Sequence, residues 1–234
     1  MANHRYLVLL AVLCAVPCLA QSTLSEHMAD HYARATQVQT AVINANLAAA
    51  KVAAAWLADH PVAANFPENA LDEMRTAARV VVDAENIFDA ARGTGRIGAA
   101  CGHCHELMNI RTGLESNTAY SLGSSLPKRM SRHLWAADRM WEGLIGNSDE
   151  AWVAGAEMLL EAPLSGEDIT GAEQPVIDYI GKQIHELASK ARLADQREDR
   201  AELYGEFMAR CASCHGGFRS DRRGPSGTYD RNEG

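Results

Sequence analysis

The chain repeats itself. Shifted by 102 positions against its own sequence, Leu24 falls on Leu126, Met28 on Met130, His31 on His133, Ala35 on Ala137, Ile43 on Ile145, Leu57 on Leu159 and Pro61 on Pro163. Shifted by 110, Cys101-Gly-His-Cys-His105 falls on Cys211-Ala-Ser-Cys-His215. Each half therefore carries the same parts in the same order. The second has about eight extra residues, most of them between Pro163 and Pro175.

The parts read as helices. Ala-rich stretches with Leu, Glu, Arg and Met dominate, aromatic residues make up only 6%, and the few Val and Ile do not alternate as a strand requires. With 47% apolar and 22% charged residues the chain has enough apolar mass for one or two cores, so disorder is not its default state. Breakers then divide it. First helices fall at about 22–44 and 127–145, the second of them stopped by Gly146-Asn147-Ser148. Short helices at about 47–59 and 149–161 end near Pro61 and Pro163. Third helices are predicted at about 68–91 and 173–194, with Pro175 in the first turn of the latter, and fourth helices at about 95–109 and 197–215.

Four helices per half joined by short turns predict an all-α chain of two tandem four-helix bundles, each with its Cys-x-x-Cys-His motif on the last helix. The expected boundaries are 21–110 for the first bundle and 126–218 for the second. Between them runs the polar, Gly/Ser-rich linker 111–125, and a mobile tail occupies 219–234.

Residues 1–20 are read apart from the fold. His4 and Arg5 precede an apolar run from Tyr6 to Ala20, which is shorter than the roughly 20 residues needed to span a bilayer, so the segment reads as a secretory signal peptide cleaved after about Ala20. No small residue stands directly before Cys14 or Cys18, which argues against lipidation. An exported, periplasmic chain is expected, with no membrane span after cleavage. Its net charge of −8 becomes near −9 when Arg5 leaves with the signal, and an acidic surface disfavours nucleic acid as a partner.

Cleavage also removes Cys14 and Cys18, and the four remaining cysteines all lie in the two Cys-x-x-Cys-His motifs. Spaced i, i+3 and i+4 on a helix, two thiols and an imidazole share one face. That is the arrangement in which both thiols add to haem vinyl groups and the adjacent histidine becomes the proximal iron ligand. A zinc site or a redox dithiol is the alternative for a single copy. Two copies at one repeat position behind an export signal point to two covalently attached haem c groups, at Cys101, Cys104 and His105 and at Cys211, Cys214 and His215. His103 has Ser213 opposite it and reads as a spacer.

Candidates for the other side of each iron lie on the first helices. Met28, His31, Ala35, Val38 and Val42 form one inward stripe, and Met130, His133, Ala137, Met140 and Leu144 form the other. An unpaired buried imidazole costs about 1–3 kcal/mol, so a histidine repeated on both stripes needs a partner. The readings are iron ligation by His31 and His133, ligation by Met28 and Met130 one turn away, or a core histidine bonded to a backbone carbonyl with the iron left open. His27, His60 and His185 have no histidine opposite them and read as surface or helix-end residues. Trp135, Trp141 and Trp152 read as packing, and Arg219, Arg222 and Arg223 as a solvated charge run.

A bundle with the haem motif on its last helix resembles the class II c-type cytochromes, the cytochrome c-prime family and its low-spin relatives, here in tandem. Smaller class I cytochromes place the motif near the N-terminus. The resemblance covers 22–110 and 126–218, and its one highly specific motif is Cys-x-x-Cys-His itself. The stretches around His31 and His133 also look like bacterial multi-repeat c-type cytochromes with a His-rich first helix. In the class II family a first-helix residue faces the distal side, methionine in electron carriers and a non-ligand in gas-binding members. The resemblance thus implies an electron carrier serving redox partner proteins or, alternatively, a haem protein that binds or senses NO or CO. No acid–base constellation suggests an enzyme, though a weak peroxidase activity is compatible with an open iron. Class II relatives often dimerise, and a tandem chain is expected to satisfy that contact internally, as a monomeric pseudo-dimer.

Overall fold

The computed structural model describes residues 25–60, 66–112, 120–164 and 174–222, with side chains to Gly217. The expected signal peptide, residues 113–119 of the linker and the last part of the tail lie outside the described residues, as do the side chains of Arg219 and Arg222 and all of Arg223. Eight helices and no strands occur among the described residues, as the all-α reading anticipates. They are α1 (25–43), α2 (Leu47–Asp59), α3 (Glu68–Asp83), α4 (Ile87–Leu107), α5 (Leu126–Gly146), α6 (Asp149–Glu161), α7 (Gln174–Ala191) and α8 (Arg197–Arg222). The 216–218 stretch and the start of the expected tail are helical, because α8 runs on to Arg222.

The repeat is visible in the turns. Ala45 (φ 53°) and Asn147 (φ 52°), which are 102 positions apart, both adopt the left-handed conformation that ends a helix. Beyond them the Asn46 N–H bonds to the Ala41 carbonyl at 2.8 Å and the Ser148 N–H to the Gly143 carbonyl at 3.0 Å. The same two residues cap the following helices, accepting from Ala49 N at 3.1 Å and from Ala151 N at 3.2 Å.

The boundary between α3 and α4 falls earlier than the glycines suggest. The sequence places it at about 92–94, yet α3 stops at Asp83 and α4 begins at Ile87. Asn86 makes the start: its side chain accepts from Phe88 N and Asp89 N, both at 3.0 Å. Gly93 and Gly95 are buried inside α4, where they serve close packing rather than termination. A Cβ on Gly93 would press on Val81, and one on Gly95 would collide with the Ala201 carbonyl oxygen of α8.

That second contact belongs to a reciprocal pair. Gly205 sits against the Ala91 carbonyl oxygen, 3.1 Å from where its Cβ would stand, and against Arg92 Cα at 3.0 Å. Ala91 and Gly95 of α4 correspond to Ala201 and Gly205 of α8 at the offset of 110, so the two motif-bearing helices cross on equivalent surfaces, as two copies do about a two-fold axis. The outer helices flank this crossing, with α2 on α3 and α3 on α4 on one side, and α5 on α6, α6 on α7 and α7 on α8 on the other. One apolar cluster runs through both halves, from Val38 and Leu57 to Trp141, Trp152 and Phe207. Trp141 and Trp152 are fully buried as the packing reading expects, while half-buried Trp135 meets Tyr120 edge-on at 5.2 Å. Among the described residues no helix is long and apolar enough to cross a membrane.

Candidate functional site

Each Cys-x-x-Cys-His motif opens onto an apolar cavity, and the first-helix candidates line the same cavity. The first holds about 350 Å³ and is bounded by Cys101, Cys104 and His105 of α4, Met28 and His31 of α1, and Met74 of α3. The second holds about 320 Å³ and is bounded by Cys211, Cys214 and His215 of α8, Met130 and His133 of α5, and Ile184 of α7. These volumes and apolar walls suit a small organic ligand held by few polar groups.

Each cavity is closed by the other half of the chain. Ile145, at the end of α5, lines the first, and its repeat partner Ile43, at the end of α1, lines the second. The His105 ring is fixed by this exchange: its Nδ1 donates to the Ile145 carbonyl oxygen at 2.8 Å. A carbonyl can only accept, so Nδ1 carries a proton, and in the neutral ring Nε2 is then the nitrogen with the lone pair. An oriented imidazole with one nitrogen tied to a carbonyl and the other free is the usual state of a metal-ligating histidine. The approach of α5 is held by Asn147, which donates from Nδ2 to the Gly102 carbonyl at 2.6 Å. Only a residue without a side chain fits at Gly102, since a Cβ there would meet the Leu144 carbonyl.

Burial, with the neighbouring cysteine second, pushes Cys101 and Cys211 up to about 12, and burial also raises Cys104 and Cys214. Partly buried, neutral thiols beside an apolar cavity and an imidazole fit a planar, largely apolar macrocycle bonded to both sulfurs. Met108, one turn beyond the motif, adds its sulfur 3.9 Å from Cys104 Sγ and was not among the sequence candidates.

On the opposite wall the two histidines differ. Both are buried, and burial foremost lowers each from 6.5 to about 4, so both rings are neutral at pH 7. His133 Nε2 donates to the Ala162 carbonyl oxygen at 2.7 Å, the arrangement of a satisfied core histidine. His31 Nε2 has no hydrogen-bond partner among the described residues. Instead His31 lies against His27 and His60, with ring centroids 4.5 and 5.9 Å away. The sequence reading dismissed both neighbours as surface or helix-end residues. His60 does cap the end of α2, but its ring turns back onto α1. His103 bonds Glu73 of α3 at 2.8 Å, which suits its reading as a spacer, and His185 is exposed on α7.

No family model, curated protein or solved structure matches this chain.

Proposed function

We propose that the chain is an exported dihaem c-type cytochrome that carries electrons between redox partner proteins in the periplasm. The observation that carries this reading is a convergence that occurs twice: two partly buried thiols, an imidazole and a first-helix Met/His pair all line one apolar cavity. In the first copy that imidazole also has its outer nitrogen tied to a carbonyl.

In this reading Cys101 and Cys104 anchor one haem and Cys211 and Cys214 the other, with His105 and His215 as proximal ligands. His31 and His133 stand on the distal side, with Met28 and Met130 one turn away as the alternative ligands. When bound, the haem iron supplies one-electron chemistry, with a potential set by its axial ligands, burial and hydrogen bonds. The protein's contribution is to orient His105 through Ile145 and to keep water from the cavity with apolar walls. Two four-helix bundles sharing the α4–α8 crossing would form the monomeric pseudo-dimer, and the reciprocal Gly95 and Gly205 contacts support it.

Mass spectrometry of denatured protein, made in a host competent for haem attachment, tests the reading. Two haems are expected on the mature chain, one on C101A/C104A and one on C211A/C214A. A mature chain carrying none sinks it. A second reading, binding of a diatomic gas as in the cytochrome c-prime family, is favoured at the second cavity by the bond from His133 to Ala162. Carbon monoxide bound to the reduced protein at that haem alone would select it, and absence of an adduct at either haem selects the electron carrier.

A further inference from the structure

We propose that His27, His31 and His60 form a binding site for one divalent transition-metal ion of the zinc class, separate from the two cysteine motifs. Their ligand nitrogens all lie within 4.8 Å of one another. In the same cluster two ring nitrogens, His27 Nε2 and His31 Nε2, are buried without a hydrogen-bond partner among the described residues. His31 is itself 6% exposed, so its orphaned nitrogen cannot turn to bulk water.

The alternative is an aromatic cluster held by ring contacts alone. His60 stacks on Trp56 at 3.8 Å, and His31 meets Trp56 edge-on at 5.3 Å, so packing does contribute. Packing leaves the two orphaned nitrogens unexplained, and each unpaired buried group costs about 1–3 kcal/mol. A metal ion takes up both lone pairs at once.

The elements supply the geometry. His27 and His31 are one turn apart on α1 and share a face, and His60 arrives from the extended residue that follows α2. Zinc–nitrogen bonds of about 2.0–2.1 Å require tetrahedral ligands about 3.4 Å apart, so side-chain rotation must draw the three rings together by roughly an ångström. His27 and His60 are only partly buried, which leaves a side for a fourth ligand such as water. Three imidazoles with no thiolate suit zinc, and among oxygen-preferring ions magnesium and calcium are poor competitors.

The second half lacks the site. Arg129 and Ala162 stand at the positions of His27 and His60, and the Ala162 carbonyl takes the proton of His133 Nε2. One ion per chain is therefore expected. The inference does not depend on the haem reading, but His31 can give Nε2 to one metal only. A loaded site would leave Met28 as the first-cavity candidate on the distal side.

Isothermal titration of the chelator-treated holoprotein with zinc chloride tests it, together with zinc-edge X-ray absorption. The expected result is one zinc per chain in a nitrogen/oxygen shell, with affinity weakened roughly tenfold or more, about 1.4 kcal/mol, in both H27Q and H60Q. H185Q, outside the cluster, should leave it unchanged. No zinc binding by the wild-type chain, or full affinity in both variants, overturns the proposal. Sulfur in the zinc shell overturns it too, and would show instead that the cysteine motifs bind zinc, so the two failures are distinguishable. Absorption by the wild-type chain needs no variant and stands even where a substitution harms folding.

Discussion

His105 of α4 and Ile145 of α5 are joined by a 2.8 Å hydrogen bond from imidazole Nδ1 to the backbone carbonyl, so a residue of the second half orients the histidine of the first motif. The carbonyl is available because α5 ends there, and it ends because Asn147 turns left-handed at φ 52°. Asn147 thus has two tasks, the turn and the bond to the Gly102 carbonyl. N147G keeps the turn and loses the bond, and should cost about 0.5–1.5 kcal/mol. N147A also places a Cβ in a conformation that disfavours it, and should cost about 1 kcal/mol more. Thermal unfolding of the two variants checks the ranking, and equal losses would remove the turn from the account.

The α4–α8 crossing should respond unequally to its two glycines. In G95A the new methyl collides with the Ala201 backbone carbonyl, which cannot move aside as a flexible side chain can. Overpacking of this kind costs about 1–3 kcal/mol or more. In G205A the methyl stands 3.0–3.1 Å from Arg92 Cα and Ala91 O, a tight contact that a small helix shift relieves. Urea midpoints should fall further for G95A than for G205A.

This crossing also marks where sequence reasoning worked and where it stopped. The repeat, the all-helical class and the turns at Ala45 and Asn147 are local signals, written in periodicity and capping residues. Gly93 and Gly95 carry the same local signal as a helix end, yet they lie mid-helix because Val81 and Ala201 press against them. A single residue cannot announce its tertiary neighbour. The site shows the same division. The cysteine motifs and the His31/His133 stripe were legible, since they depend on spacing within one helix. Ile145 entered only once α5 met α4. His60 was read as a helix end, which it is, and its place beside His27 and His31 depends on how α2 folds back on α1.

Acid should weaken the fold through His31 and His133. Unfolded histidine titrates near 6.5, and burial lowers both to about 4 in the folded chain. Above 6.5 both states are neutral and the full stability is present. As pH falls from 6.5 towards 4 the unfolded chain takes up protons that the folded chain refuses, and stability drops by about 1.4 kcal/mol per pH unit for each histidine. Denaturant unfolding across this window should show that slope in the wild type and a shallower one in H133Q. An unchanged slope would mean that His133 is not buried neutral.

The axial assignment makes a separate prediction. If His31 and His133 ligate iron, replacing each with methionine should raise the corresponding reduction potential, because histidine/methionine ligation favours the reduced state. Spectroelectrochemical titration of H31M and H133M reads both haems. A shift at the first haem with none at the second would match the difference in the structure, where His133 is engaged with Ala162 and His31 Nε2 is not hydrogen-bonded.

Deep in the shared core, Gln39 of α1 donates from Nε2 to the Tyr204 hydroxyl of α8 at 2.8 Å, and that hydroxyl donates to the Ala137 carbonyl of α5 at 3.0 Å. The chain of bonds links three helices of both halves where no water reaches, since Gln39 and Tyr204 are 1% and 0% exposed. Y204F removes the hydroxyl and leaves the Gln39 amide only a long 3.5 Å contact to Asp138. The orphaned amide should cost about 1–3 kcal/mol. Q39L in the same background removes the orphan, so the double variant should recover part of the loss while each single variant is less stable than wild type. A double-mutant cycle in urea measures this coupling, and strictly additive losses would show that the two side chains are stabilised independently.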